Sequence, residues 1–181
     1  PKPPVEKRPR QLSVTKIETW IRDPYAVYAN KILKLKELQP LENDNDAAER
    51  GTLMHDILER FAKQYPERLP PDALDQLIII GKQVFGDKLQ DPRLYAFWWT
   101  RFERLAAWFI DQDREHRTDV IKSIVETTGT MTFSTAGGAF TLTGKADRID
   151  VMRDGTATIL DYKTGTPPSS KHVLAGLSPQ L

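Results

Sequence analysis

The chain of 181 residues contains no cysteine. That absence rules out disulfide staples, thiolate zinc sites, cysteine nucleophiles and thiolate-held iron–sulfur clusters. It also lacks any apolar run near the roughly 20 residues of a membrane span, and its Pro-rich start has no signal-peptide core. The resulting expectation is a cytoplasmic protein. No G-x-x-x-x-G-K-[ST] loop is present to cradle a nucleotide phosphate. Nor is there a charge excess: 26 Lys and Arg stand against 25 Asp and Glu, a formal net charge of +1. Any basic surface must therefore come from local arrangement.

What is present is enough apolar content, 39% hydrophobic beside 28% charged, to bury one core. Residues 1–11, PKPPVEKRPRQ, mix proline with positive charge and read as a linker. From Ser13 the pattern turns helical, with Ser13 or Thr15 as cap and Ile17, Trp20 and Ile21 at helical spacing. Asp23-Pro24 interrupts, and a second helix is predicted from about Pro24 to Leu35. Residues 39–50 read as a polar loop. Leu53, Met54, Ile57, Leu58 and Phe61 then form one apolar helical stripe with His55 beside it. Helices continue through residues 70–116, where Pro71 and Asp72 favour a start and Leu94, Phe97, Trp98, Phe102, Leu105 and Phe109 recur at three and four.

After Thr118 the texture becomes β-branched and alternating, over about 120–134, 138–152 and 156–163. Ala136-Gly137-Gly138 and Arg153-Asp154-Gly155 supply hairpin turns between these strands. The expected class is α+β, or α/β: a central mixed sheet built on an antiparallel meander and preceded by helices. The expected layout is a helical part over 12–117, a sheet core over 118–165 and the start of a helix at 178–181, signalled by Ser178 and Pro179 where the sequence stops.

Chemistry concentrates on the strands. In I-L-D-Y-K-T-G, Asp161 and Lys163 are two apart and so share a strand face. In G-K-A-D-R-I-D, Asp147 is the carboxylate expected beside Asp161, because the intervening Asp-Gly turn folds the strands together. Two converging carboxylates near a lysine repel and desolvate one another unless a cation compensates. Oxygen ligands suit Mg²⁺ or Mn²⁺. A lone D-x-K is equally a surface ion pair, and His55 alone is equally a helix-surface histidine beside Glu59 at i+4. Asp150, three residues from Asp147, has the wrong parity for the same site and reads with Arg148 as structural or DNA-proximal. Glu126 is either an acidic site residue or a solvent-facing glutamate. Phe97, Trp98, Trp99 and Trp108 suit core packing, with stacking on unpaired bases as the functional alternative.

Taken jointly, G-x-x-x-H, G-x-x-D-R-x-D, the D-G turn, I-L-D-Y-K-T-G and a late Q-L resemble the PD-(D/E)xK nuclease superfamily in its RecB-like branch. The likeness is greatest to AddB-type nuclease domains, which the opening L-S-V-T-K-I-E-T-W-I-R-D-P-Y also resembles, and it extends from Leu12 to Leu181. The resemblance implies His55, Asp147 and Asp161 as metal ligands together with the Tyr162 main-chain carbonyl. It implies Lys163 as the catalytic amine and Gln180 as a substrate-positioning glutamine. It further implies Mg²⁺ (or Mn²⁺), a DNA substrate, single-stranded or at duplex ends, and exonuclease activity in double-strand break repair and recombination. An AddA-type helicase-nuclease subunit would be the partner and a helicase-like region would lie upstream of the linker. Relatives that pin their ends with an iron–sulfur cluster carry four cysteines; here Asp23-Pro24-Tyr25 stands at the early position, so a cluster-free subtype is expected. The branch also continues past the glutamine with a further helix, so a chain cut short, and inactive alone, is expected. A stand-alone RecB-like or CRISPR-associated exonuclease, and an inactive DNA-binding or docking domain, are the competing readings.

Overall fold

The computed structural model describes residues 2–36, 38 and 46–178. The chain divides into two compact units, Pro1–Asn43 with Thr128–Lys145 and Thr166–Leu181, and Asp44–Thr127 with Ala146–Gly165.

In the first unit, residues 1–11 are not wholly linker: a 3-10 turn spans Val5–Lys7 and strand β1 spans Gln11–Ser13. This strand escaped the sequence pattern because three residues are too few to show alternation. Ser13 Oγ accepts the Lys16 N–H at 3.3 Å and starts α1, Val14–Arg22. Asp23 ends α1 and caps α2, Pro24–Val27, through the Tyr25 and Ala26 N–H groups. The expected helix to Leu35 stops earlier, in a π turn over Tyr28–Ile32 followed by Lys34 at φ +58°.

In the second unit, α3 spans Asp46–Gln64, so residues 46–50 are helical and not loop. Then come α4, Ala73–Phe85, the short α5, Pro92–Leu94, a π turn over Tyr95–Trp99, and α6, Thr100–His116. Ile57, Phe61, Leu77, Phe85, Trp99 and Phe102 are buried together as the core. Gly81 makes that packing close, since a Cβ there would lie 2.3 Å from the Phe102 ring. The expected aromatic stripe is only half right. Trp98, Trp99, Phe102 and Phe109 are buried, but Phe97 is 75% exposed and Leu105 also faces out. A π turn closes on i+5 and accommodates an extra residue, so the apolar face rotates relative to plain helical spacing.

The strands are β2, Val120–Thr135, β3, Gly138–Met152, and β4, Ala157–Leu160, and both units contain parts of β2 and β3. The sheet is mixed, in the order β1-β3-β2 with β4 also on β3. β1 runs parallel to β3 with Leu12 opposite Leu142, and β4 runs antiparallel to it with Arg148 opposite Leu160. The parallel partner is thus the first strand and not a late one. The third long strand ends at Leu160, short of the expected residue 163. A further helix, α7, spans Ser170–Leu174, capped by Ser169. The helix expected at 178–181 lies outside the described residues beyond Ser178. No helix among the described residues is long and apolar enough to cross a membrane.

Candidate active site

The site residues that the structure describes all belong to the second unit, and its organising element is the end of β4. The register that sets Arg148 opposite Leu160 would next set Asp147 opposite Asp161. There the Asp147 side chain intervenes: its Oδ2 accepts the Tyr162 N–H at 2.8 Å. A carboxylate thus takes up a main-chain donor where the ladder stops, which explains why Asp161 and Lys163 follow the strand instead of lying on it. They still meet, with Lys163 Nζ 2.5 Å from Asp161 Oδ2.

His55 comes from α3 and brings its Nδ1 to 3.4 Å from Asp147 Oδ2. Glu59, the alternative partner for His55, pairs with Lys63 instead. One turn before His55, Gly51 faces Thr164, where an added Cβ would sit 3.4 Å from Oγ1. The missing side chain lets α3 lie close to the segment that carries Lys163. The Tyr162 ring stands edge-on to both His55 and Phe109, with centroids 6.4 and 5.9 Å away. Burial pushes its hydroxyl pKa above the ordinary tyrosine value, against the lowering effect of nearby Arg148.

The structure therefore joins His55 to Asp147, Asp147 to the Tyr162 main chain, and Asp161 to Lys163. Gln180 lies outside the described residues. Glu126 sits within β2 at φ +54°, an unusual conformation for a non-glycine residue, and is half-buried, not solvent-facing.

Sequence spacing did not reveal how this group is held from behind. Arg148 and Asp150, on the neighbouring positions of β3, are 1% and 0% exposed. The Arg148 guanidinium donates from Nε and Nη2 to the two oxygens of Asp150, both at 2.7 Å, and from Nη1 to Asp113 Oδ1 at 2.6 Å. It also reaches the Tyr162 hydroxyl at 3.4 Å. Ser123 Oγ donates to Asp150 at 2.6 Å, and His116 Nε2 lies 2.8 Å from the same carboxylate. Arg117 completes the set on Asp113 at 2.7 Å. Burial raises the Asp150 pKa, but the Arg148 and Ser123 hydrogen bonds outweigh it and hold the carboxyl below its usual range. Burial likewise lowers the Arg148 pKa, and its Asp150 contacts reverse that and raise it above the ordinary arginine value. The structural reading of Arg148 and Asp150 is the correct one. The signal for it was the R-x-D spacing, matched on α6 by Asp113 and Arg117 at i,i+4.

The donor chemistry was tested against a hard divalent cation on Asp161. Its Oδ2 is buried and has no hydrogen-bond partner, because the Lys163 approach is close but off the hydrogen-bond direction. A buried carboxylate oxygen in that state costs about 1–3 kcal/mol, and a cation would remove the cost. Among the described residues no three His, Cys, Asp or Glu side chains converge as a ready metal cluster. The residues thus fit in kind, as two carboxylates and an imidazole, with main-chain or water oxygens needed to complete a coordination shell.

With this geometry in hand, the chain can be set against known proteins. The family model of the PD-(D/E)XK nuclease superfamily matches residues 11–181. The chain belongs to that superfamily. Its mixed sheet with flanking helices is consistent with the nuclease fold, and nucleases of this superfamily generally use divalent metals. An uncharacterized protein of Rickettsia bellii is 37% identical over 173 residues, covering 96% of this chain and 21% of the relative. An AddB-type ATP-dependent helicase/deoxyribonuclease protein of Clostridium perfringens (strain SM101) is 28% identical over 181 residues, covering 86% of this chain and 15% of that protein. The protein of the same name in Carboxydothermus hydrogenoformans is 27% identical, covering 95% of this chain and 18% of its own length. The chain thus spans about a fifth or less of the curated relatives it matches.

Proposed function

We propose that this PD-(D/E)XK nuclease is a Mg²⁺-dependent deoxyribonuclease that hydrolyses single strands from an end during double-strand break repair. The observation that carries the reading is the placement of Asp161 and Lys163 immediately after β4, tied through the Tyr162 N–H to Asp147 and from there to His55. The Clostridium and Carboxydothermus relatives are named as helicase/deoxyribonuclease components, which supports DNA as substrate and an AddA-type protein as partner. Residues 12–181 would form the nuclease domain and residues 1–11 its lead-in.

His55, Asp147, Asp161 and the Tyr162 carbonyl would hold the cation. When bound, a divalent cation supplies positive charge against the scissile phosphate and eases formation of hydroxide from water. Lys163, held by Asp161, orients the attacking water and donates a charge-assisted hydrogen bond to oxygen that gains charge in the transition state. Tyr162 fixes the Asp147 carboxylate through its N–H and is itself fixed by Arg148 and Phe109. Gln180 would help position the substrate.

The test compares an end-labelled linear single strand with a covalently closed single-stranded circle, each with Mg²⁺ and with EDTA. Release of short products from the linear strand alone, and only with metal, is expected. Cleavage of the circle at the same rate would overturn the exonuclease assignment. Cleavage in EDTA would overturn the metal assignment, and no cleavage of either strand with Mg²⁺ would favour a docking role.

A further inference from the structure

Within the second unit a groove of about 810 Å³ opens beside Asp161, Tyr162 and Lys163. That volume is within the ~300–1,000 Å³ range of sites that bury a small organic ligand. One wall is the π turn and α6, and two large aromatic rings on it lack cover: Phe97 is 75% and Trp108 59% exposed. Arg101, Arg104 and Trp108 fall at i, i+3 and i+7, so they share one helix face. Phe97 lies one turn before Arg101. Arg50 lines the same groove from α3. Among the described residues none of the three arginines is paired with a carboxylate.

Exposed rings of this size carry a cost in water, and the core has no need of them, since Trp98, Trp99, Phe102 and Phe109 already fill it. The charges identify the occupant. The core of a protein–protein interface is depleted in charged residues. Unpaired guanidiniums interleaved with aromatic faces instead suit a polyanion with flat apolar groups. Phe97 and Trp108 are separated by about 16 Å along the helix at 1.5 Å per residue, so they would serve two bases and not one stack. In a duplex those base faces are already stacked on their neighbours.

We infer that Phe97 and Trp108 are stacking platforms for two unpaired bases of a single DNA strand, whose phosphates lie on Arg50, Arg101 and Arg104 as the strand approaches Lys163. This rests on the nuclease reading and adds a substrate subsite to it. It assigns the aromatic cluster by residue: Trp98 and Trp99 to the core, Phe97 and Trp108 to the substrate.

The test measures equilibrium binding in EDTA, where cleavage is suppressed, of a fluorescent oligothymidylate and an abasic oligomer of equal length. Trp108→Ala and Phe97→Ala should each weaken oligothymidylate binding roughly 5- to 100-fold, the range for loss of one base–aromatic stack. Both variants should leave abasic binding unchanged, and Trp108→Phe should restore most of the affinity. Paired loss of Arg101 and Arg104 should weaken both oligomers and reduce the salt dependence. Equal weakening of both oligomers by Trp108→Ala, or none, would overturn the inference, as would a surface covered by another protein segment so that neither oligomer binds. Cleavage lost in Asp161→Ala while Trp108→Ala binds like wild type sinks this subsite and leaves the nuclease reading standing. Selective loss of oligothymidylate binding with cleavage indifferent to Asp161 does the reverse.

Discussion

Asp161→Ala is expected to lower metal-dependent DNA cleavage by at least roughly 10²–10³-fold, the scale seen when one preorganised charge-stabilising group is removed from a transition state. Lys163→Ala should fall as far, and the two together little further, because groups that act as one unit are not additive. The same variants should diverge in stability. Asp161 Oδ2 is buried without a hydrogen-bond partner, so replacing the carboxylate removes a burial cost of about 1–3 kcal/mol in the metal-free protein. The melting temperature of Asp161→Ala in EDTA is therefore expected to hold or rise while activity disappears. The comparison variant is Asp56→Ala, next to His55 in sequence but in an exposed pair with Arg60. It should keep its activity and shift stability by less than about 0.5 kcal/mol. Equal activity in wild type, Asp161→Ala and Lys163→Ala would remove the site from consideration.

Arg148→Ala is expected to be the most damaging single change to the fold. It would strip the guanidinium from two carboxylates, Asp113 and Asp150, that are themselves almost wholly buried. Removing one partner of such a pair costs about 3–5 kcal/mol, because the remaining charge stays desolvated. In a domain of this length that is a fall of roughly 6–20 °C in melting temperature. Arg148→Lys should not rescue it, since one ammonium cannot donate bidentately to Asp150 and also reach Asp113. Thermal unfolding by circular dichroism checks both variants. A melting temperature within a degree or two of wild type would show that the network does not hold β3 against α6.

How much of this was legible in the sequence depended on which signals are local. Strand alternation and the two glycine turns placed β2 and β3 closely, and the D-G turn paired Asp147 with Asp161 because a hairpin's register follows from its turn. The end of β4 was not legible, because it depends on the Asp147 side chain taking the Tyr162 N–H from across the strands. β1 was missed for its shortness, and α7 because the polar stretch around Ser169 shows little apolar periodicity. The π turn at Tyr95–Trp99 rotated the aromatic stripe, so spacing alone could not separate Trp99, which packs against Phe85, from Phe97, which faces out. The pairing of His55 with Asp147 joins residues far apart in sequence. It came from the joint motif, and neither residue's neighbours would have shown it.

The central claim is that Asp147, Asp161 and His55 form a cation site beside Lys163. Calorimetric titration of Mn²⁺ into the protein, the Asp147→Ala variant and the Asp161→Ala variant tests it most directly. The account predicts a saturable binding event in the wild type that both substitutions abolish, with all three proteins folded. Absence of binding in the wild type up to millimolar metal, or binding that survives both substitutions, would contradict it.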